Sequence, residues 1–321
     1  MGSALALGER GRGRTAPNPH VGCVIVKNGH VVGRGWTQPG GRPHAEAMAL
    51  AMAGDAARGA TLYTTLEPCA HRSTRGPACA GLLADAGLAS VVIALGDPDP
   101  RTNGNGITQL KAAGITVITG VCGDAARRSM GGFLMRLMRG RPQVTLKLAT
   151  SLDGCIALAN GESRWITGPV ARAHAHLERA RHEAILVGRG TRDADSPALD
   201  VRLAGLEDRS PRRLVLTRHP AEHRDAEPGW ETVTAPADIA GLPDVNDLLV
   251  EGGAHTAAAF LAADLVDRLL LYRAPILIGA GKASLGDIGL GKLGDAHGRW
   301  RLDDARQLGS DRLEVYERWR G

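Results

Sequence analysis

Aromatic side chains are scarce in this chain, at 3% of 321 residues, which leaves few stacking platforms for single-stranded nucleic acid. Lysine is scarcer than the basic balance suggests. Only Lys27, Lys111, Lys147, Lys282 and Lys292 occur, so arginine supplies nearly all of the 39 basic residues. The net charge of +5 is modest and is not gathered into a tail, so no nucleic-acid partner is expected. No apolar run approaches a membrane span, and no membrane partner is expected either. Five cysteines, an odd number, with no export signal, argue for a reducing compartment, the cytoplasm, and against a disulfide framework. What remains is an ordinary soluble composition, 43% hydrophobic, in a chain long enough for two domains of roughly 150 residues.

The chain is organised around residues 44–79. Pro43-His44-Ala45-Glu46 is followed by Glu67-Pro68-Cys69 and, after nine further residues, by Cys79. One His and two Cys near helix starts supply three ligands for zinc and leave its fourth tetrahedral position to water, the arrangement of a catalytic site. Glu46, two residues past His44, need not be a ligand and can move protons. His-x-Glu followed by Pro-Cys and a second Cys is the signature of zinc nucleobase deaminases. Their usual Cys-x-x-Cys spacing is replaced here by a longer loop. Zinc lowers the pKa of bound water, and positioned proton transfer by Glu46 adds roughly a hundred- to ten-thousandfold in rate.

Around these residues the pattern alternates. A short helix spans 4–13 and a strand 21–26. Asn28-Gly29 marks a tight hairpin to a strand at 30–36. A helix over 45–53, a strand at 61–66, a helix after Cys79 and a strand at 91–95 follow. A helix near 108–113, a strand at 115–118 and one long helix across 124–138 complete the first half. Gly140-Arg141-Pro142 reads as the linker, giving domains 1–141 and 142–321. Strands then recur at 144–149, 155–158, 184–187, 213–216, 247–251, 267–273 and 312–318, with a helix over 169–181. The stretch 200–245 reads as loops around short strands. The pattern predicts an α/β protein of two domains, with mixed sheets flanked by helices. Gly33-Arg34-Gly35, Gly104-Asn105-Gly106 and Gly279-Ala280-Gly281 read as turns. Cys122 and Cys155 have no ligand-like company and read as structural.

Two turns in the second half follow a strand and open a helix: residues 186–191, which include Thr191, and Val250-Glu251-Gly252-Gly253-Ala254, continued by His255 and Thr256. Glycine there lets backbone N–H groups approach a pyrophosphate at a helix N-terminus, although each turn by itself fits an ordinary strand–helix connection equally well.

The chain resembles, along essentially its whole length, the bacterial bifunctional riboflavin-biosynthesis enzymes, in which a pyrimidine deaminase is fused to a pyrimidine reductase. The matching motifs are Pro17-Asn18-Pro19-His20-Val21-Gly22-Cys23, Pro43-His44-Ala45-Glu46 and Thr65-Leu66-Glu67-Pro68-Cys69-Ala70-His71. In the second half they are Lys147-Leu148-Ala149-Thr150-Ser151-Leu152-Asp153-Gly154, Gly161-Glu162-Ser163-Arg164-Trp165-Ile166-Thr167, Asp195-Ser196-Pro197-Ala198-Leu199 with Arg202, and Val250-Glu251-Gly252-Gly253. The resemblance implies a cytidine-deaminase-like mixed-sheet sandwich holding zinc on His44, Cys69 and Cys79, with Glu46 as acid/base. A dihydrofolate-reductase-like domain using NADPH follows.

By the same resemblance Asn18, His71 and Asp97 match deaminase substrate positions. Ser163, Arg179, Leu199, Arg202 and Glu251 match reductase substrate positions, and Ala149, Trp165, Thr191 and Asp195 match cofactor positions. Thr217 and Arg218, at the end of a strand, would meet the adenosine 2′-phosphate that distinguishes NADPH. The implied substrate is a small phosphorylated pyrimidine, the implied assembly a homo-oligomer (dimer or tetramer). The rival reading is a zinc deaminase of RNA or free nucleosides whose second domain only binds. Three positions depart from the family pattern: the ligand loop is one residue longer, Thr37 stands where His is usual, and Asp99 replaces a common Asn.

Overall fold

The structure is a computed structural model that describes residues 1–71, 75–218 and 229–320. The chain divides into two compact units, Met1–Gly140 and Arg141–Gly321.

In the first unit α1 (Gly2–Gly8) precedes the hairpin β1 (Gly22–Lys27) and β2 (His30–Trp36). Asn28 and Gly29 both take positive φ, 51° and 79°, the conformation that a two-residue turn matching the strand twist requires. α2 (Ala45–Ala53), β3 (Thr61–Thr64), α3 (Cys79–Asp85), β4 (Ser90–Ile93), α4 (Asn105–Ala112) and β5 (Thr116–Thr119) follow. The strands lie in the order β2-β1-β3-β4-β5. β1 is antiparallel to both neighbours, whereas β3, β4 and β5 run parallel. Ile25, Leu62, Leu83, Ile93 and Leu110 are fully buried in the core beneath them, each contributing about 1.5–3 kcal/mol by burial.

Gly33-Arg34-Gly35 is not a turn: it lies inside β2. A Cβ at Gly33 or Gly35 would come within 2.3 Å of Ala49 O or 2.2 Å of Ala45 O. The two glycines therefore let α2, and with it His44 and Glu46, sit directly on the sheet. Nor is 124–138 one helix. α5 (Gly123–Ser129) and α6 (Gly131–Arg139) are separated at Met130, where φ and ψ are −91° and 24°. The Gly131-Gly132 pair that follows favours helix poorly, and Met130 is buried in the core.

The second unit contains β6 (Gln143–Thr150), β7 (Cys155–Ala157), α7 (Pro169–Ala180), β8 (Ala184–Gly188), α8 (Arg189–Asp195), β9 (Arg212–Leu216), β10 (Trp230–Val233), β11 (Asp247–Val250), α9 (Ala254–Ala262), β12 (Arg268–Arg273), β13 (Lys282–Ala283), β14 (Trp300–Leu308) and β15 (Asp311–Arg318). Its main sheet runs β10-β9-β8-β11-β6-β12-β15-β14, and β7 pairs with β13 apart from it. From β10 to β12 the pairing is parallel, while β15 and β14 close one edge antiparallel. β14 is absent from the expected strands. Its nine residues, mostly exposed and rich in charge, show none of the half-buried alternation by which strands are read from sequence. Cys155 is buried, but Cys122 is exposed at the start of α5, so it has no core role.

Candidate functional site

In the first unit the site gathers at the carboxyl ends of the parallel strands β3 and β4, where open α/β sheets place their ligands. β3 delivers Leu66, Glu67 and Cys69, and β4 leads to Asp97. His44 is the residue before α2, an Ala-rich helix whose first turn carries Glu46. Cys79 opens α3. His44 Nδ1 lies 3.6 Å from Cys69 Sγ and 3.3 Å from Cys79 Sγ, and the three donor atoms all lie within 4.8 Å of one another. Tetrahedral zinc with bonds of about 2.0 Å to nitrogen and 2.3 Å to sulfur requires N···S edges of about 3.6 Å. The donor set and its spacing therefore fit zinc.

The two thiols differ in acidity. A hydrogen bond with Cys79 holds the Cys69 thiol down to about 4, with the His44 bond adding and burial opposing. The same sulfur–sulfur bond, with burial, pushes Cys79 up. The Cys79 backbone N–H also donates to Cys69 Sγ at 3.3 Å, so the start of α3 favours a thiolate there.

Glu46 is buried, and burial pushes its carboxyl up. Thr64 Oγ1 donates to its Oε1 at 3.2 Å. Asn18, His44, Glu46, Cys69, His71 and Asp97 line one cavity of about 410 Å³. Cys79 is buried beside them. Asn18 Nδ2 lies 3.2 Å from His44 Nε2 and 2.9 Å from Gly41 O, to which it donates.

Glu67 stands out in the sequence only as part of a motif, and its position assigns it a task. It accepts backbone N–H groups from Asp97, Gly104 and Ile107 at 3.3, 3.1 and 3.1 Å, which anchors the loop after β4 over the cavity. Burial pushes the Asp97 carboxyl up to about 6. The two exchanged residues are also accommodated. Thr37 Oγ1 accepts the Val21 N–H at 3.0 Å, and Asp99 is held by the Arg101 guanidinium, with Nε at 3.0 and 3.1 Å from its two oxygens. The lengthened ligand loop includes residues 72–74, outside those described.

In the second unit a cavity of about 760 Å³ brings together Ala149, Ser163, Trp165, Arg179, Thr191, Asp195, Leu199, Arg202 and Glu251. At its base Glu251 accepts Arg179 Nε and Nη2 at 2.8 and 3.0 Å and lies 3.6 Å from Lys147 Nζ. Burial pushes the Glu251 carboxyl up, but the two cations outweigh it and hold it at about 2. Sequence reasoning gives Lys147 no role beyond its motif. The signal that marks it is that it is the one charged residue within the strand β6. Arg202 is more exposed, with its backbone N–H 3.3 Å from His176 Nδ1.

The remaining cofactor candidates are not on that cavity wall. The Gly253 N–H donates to Thr191 Oγ1 at 3.2 Å, joining the two glycine turns. A Cβ at Gly188 or Gly252 would collide with the Thr256 side chain, so these glycines serve the packing of α9 on β8. Ala254 and His255 open α9. Thr217 is buried at the end of β9, and Arg218 beside it is exposed.

The zinc-binding region of cytidine and deoxycytidylate deaminases matches residues 1–95, and the RibD C-terminal domain matches residues 142–313. The riboflavin biosynthesis protein RibD of Escherichia coli is 40% identical over 97% of this chain and 96% of its own. The chain belongs to the RibD family. RibD of Haemophilus influenzae is 39% identical over 97% of this chain and 94% of its own length. Among solved structures, Acinetobacter baumannii RibD superposes with a TM-score of 0.85 at 36% identity, covering 100% of this chain and 98% of that one. The Thermotoga maritima diaminohydroxyphosphoribosylaminopyrimidine deaminase/5-amino-6-(5-phosphoribosylamino)uracil reductase does so with 0.87 at 31%, covering 99% and 97%. The fold is thus that of RibD, a cytidine-deaminase-like α/β domain followed by the RibD reductase domain.

Proposed function

We propose that this RibD-family chain carries out two successive steps of riboflavin biosynthesis. The first is hydrolytic deamination of 2,5-diamino-6-(ribosylamino)-4(3H)-pyrimidinone 5′-phosphate, in which water enters, ammonia leaves and a ring C–NH2 becomes C=O. The second is reduction of the ribosyl chain to ribityl by NADPH. The observation that carries the reading is the convergence of a zinc-fitting His/Cys/Cys set with a buried, non-ligating carboxylate in one cavity.

His44, Cys69 and Cys79 hold the metal, which when bound supplies Lewis-acid activation of a water. Glu46 takes a proton from the attacking water and delivers it to the ring nitrogen and then to the departing amine. Its raised carboxyl is suited to both directions of transfer, and Thr64 fixes the oxygen that is not moving the proton. Asn18, His71 and Asp97 orient the pyrimidine.

In the second domain, which we take as 142–321, NADPH supplies the two electrons of the reduction. Ala149, Trp165, Thr191, Asp195, Thr217, Arg218 and residues 253–256 hold that cofactor. Ser163, Arg179, Leu199, Arg202 and Glu251 hold the substrate, with Arg202 the better exposed for its phosphate. Five free thiols support a cytoplasmic setting. No helix among the described residues is long and apolar enough to cross a membrane. The protein acts as a homo-oligomer, a dimer or tetramer.

A deaminase of RNA or free nucleosides with a purely binding second domain is not favoured, because the reductase domain match spans 142–313. The test is a coupled assay of the zinc-loaded chain with the diaminopyrimidinone ribosyl phosphate, with and without NADPH and with RNA as competitor. Ammonia release alone without NADPH, the ribityl product with it, and indifference to RNA are expected. Absence of ammonia release from this substrate sinks the reading.

A further inference from the structure

Four arginines line the deaminase cavity: Arg42, Arg75, Arg101 and Arg136. Three are engaged by the protein. Arg75 donates to Gly40 O, Arg101 is bound to Asp99, and Arg136 donates to Gly140 O at 3.3 Å. Arg42 has neither a hydrogen bond nor an ion pair among the described residues, although it is only partly exposed. The carboxylates on the same wall are also accounted for. Glu46 takes the Thr64 hydroxyl, Glu67 takes three backbone N–H groups, Asp97 takes the Asp99 N–H at 3.0 Å, and Asp99 takes Arg101. A half-buried guanidinium without a counter-ion is open to an anionic ligand.

Arg42 and His44 both line the cavity that holds Glu46 and Cys69. Both are half-buried, and Pro43 between them is exposed. The metal ligand and the cation therefore face one cavity from one short segment. The guanidinium rests against the ligand loop at Gly76, where a Cβ would lie 3.0 Å from Arg42 Nη1 and φ is +146°. Any side chain there would strain the backbone and crowd the arginine.

We infer that Arg42 is the residue that recognises the 5′-phosphate of the deaminase substrate, an inference that rests on the reading of that substrate given above. The guanidinium fork matches phosphate oxygens, and among the described residues Arg42 is the arginine of this cavity that no hydrogen bond or ion pair holds. Arg42 thus makes the first step selective for the phosphorylated pyrimidine over its dephosphorylated counterpart.

The test compares zinc-loaded wild type, Arg42→Gln and Arg42→Lys in deaminating the phosphorylated and dephosphorylated pyrimidines, with calorimetric titration of each protein by inorganic phosphate. Loss of a charge-assisted hydrogen bond predicts that Arg42→Gln lowers the ratio of kcat/KM for the two substrates by about ten- to a hundredfold. Most of the loss falls in KM for the phosphorylated one. Arg42→Lys recovers part of the ratio, and one phosphate-binding event disappears in Arg42→Gln. An unchanged ratio, or an equal fall for both substrates, overturns the inference. Should wild type deaminate neither pyrimidine, the substrate reading fails. The phosphate titration then decides alone whether Arg42 is an anion site, and equal phosphate binding by wild type and Arg42→Gln rejects it.

Discussion

Replacing Glu251 by Gln removes the charge that lies between two buried or half-buried cations, and its consequence can be worked out from the site. Despite burial, Lys147 and Arg179 hold the Glu251 carboxyl at about 2, against an ordinary 4.5. At about 1.4 kcal/mol for each step on the pKa scale, that difference corresponds to about 3 kcal/mol favouring the ionised, paired state. Removing one partner of a buried pair typically costs about 3–5 kcal/mol, because the other charge is left without compensation. At about 2–4 °C for each kcal/mol in a domain of this size, the variant should unfold about 6–12 °C below wild type at pH 7.

The pH dependence has a definite sign. The folded-state pKa lies below the unfolded one, so the stabilisation is complete above about 4.5 and is lost as pH falls towards about 2. The gap between wild type and Glu251→Gln should stay constant from pH 6 to 8 and close in acid. Scanning calorimetry of the full chain at pH 7, 5, 4 and 3 provides the measurement. A difference below about 2 °C at pH 7, or one that does not narrow in acid, would refute the argument that this carboxylate is held ionised by its two neighbours.

Other outcomes follow from the sites. Cys69→Ala and Cys79→Ala should each lose zinc by metal analysis and lose ammonia release; full zinc content in both would remove them from the ligand set. Glu46→Gln should retain one zinc per chain while deamination falls by about two to four orders of magnitude. Reduction of separately supplied deaminated intermediate should persist, and normal deamination would exclude the proton-shuttle role. Arg218→Ala should raise KM for NADPH severalfold and leave that for NADH nearly unchanged, since only NADPH offers the 2′-phosphate for a charge-assisted bond; equal effects on both cofactors would place Arg218 outside the site. A fragment beginning at residue 142 should bind NADPH by fluorescence titration, and a well-folded fragment without affinity would show that the first half helps to build the cofactor site.

Much of the metal centre is legible in the amino-acid sequence by itself, because ligand chemistry is carried by residue type and the helix starts are marked locally. His44 precedes a run of alanines, Cys69 and Cys79 each follow closely on a proline, and Glu46 stands too near His44 to need a ligand role. The hairpin at Asn28-Gly29 is legible for the same reason: only residues tolerant of positive φ make that turn. The alternation of strands and helices likewise points to two α/β domains.

Tertiary structure alone decides the rest, since it depends on residues far apart in the chain. Lys147, Arg179 and Glu251 are each ordinary as isolated charges; parallel pairing of β6 with β11 and the packing of α7 bring them into one ion cluster. Glu67 becomes the anchor of the loop after β4 only when that loop folds over it. The glycines of β2 have the spacing of a turn, yet they are the contact surface of α2, a property of the neighbour and not of the strand. Whether an arginine is paired is also a fact about its surroundings. Arg42 and Arg101 are the same residue type on one wall, and only the position of Asp99 distinguishes the cation held by the protein from the one open to a ligand.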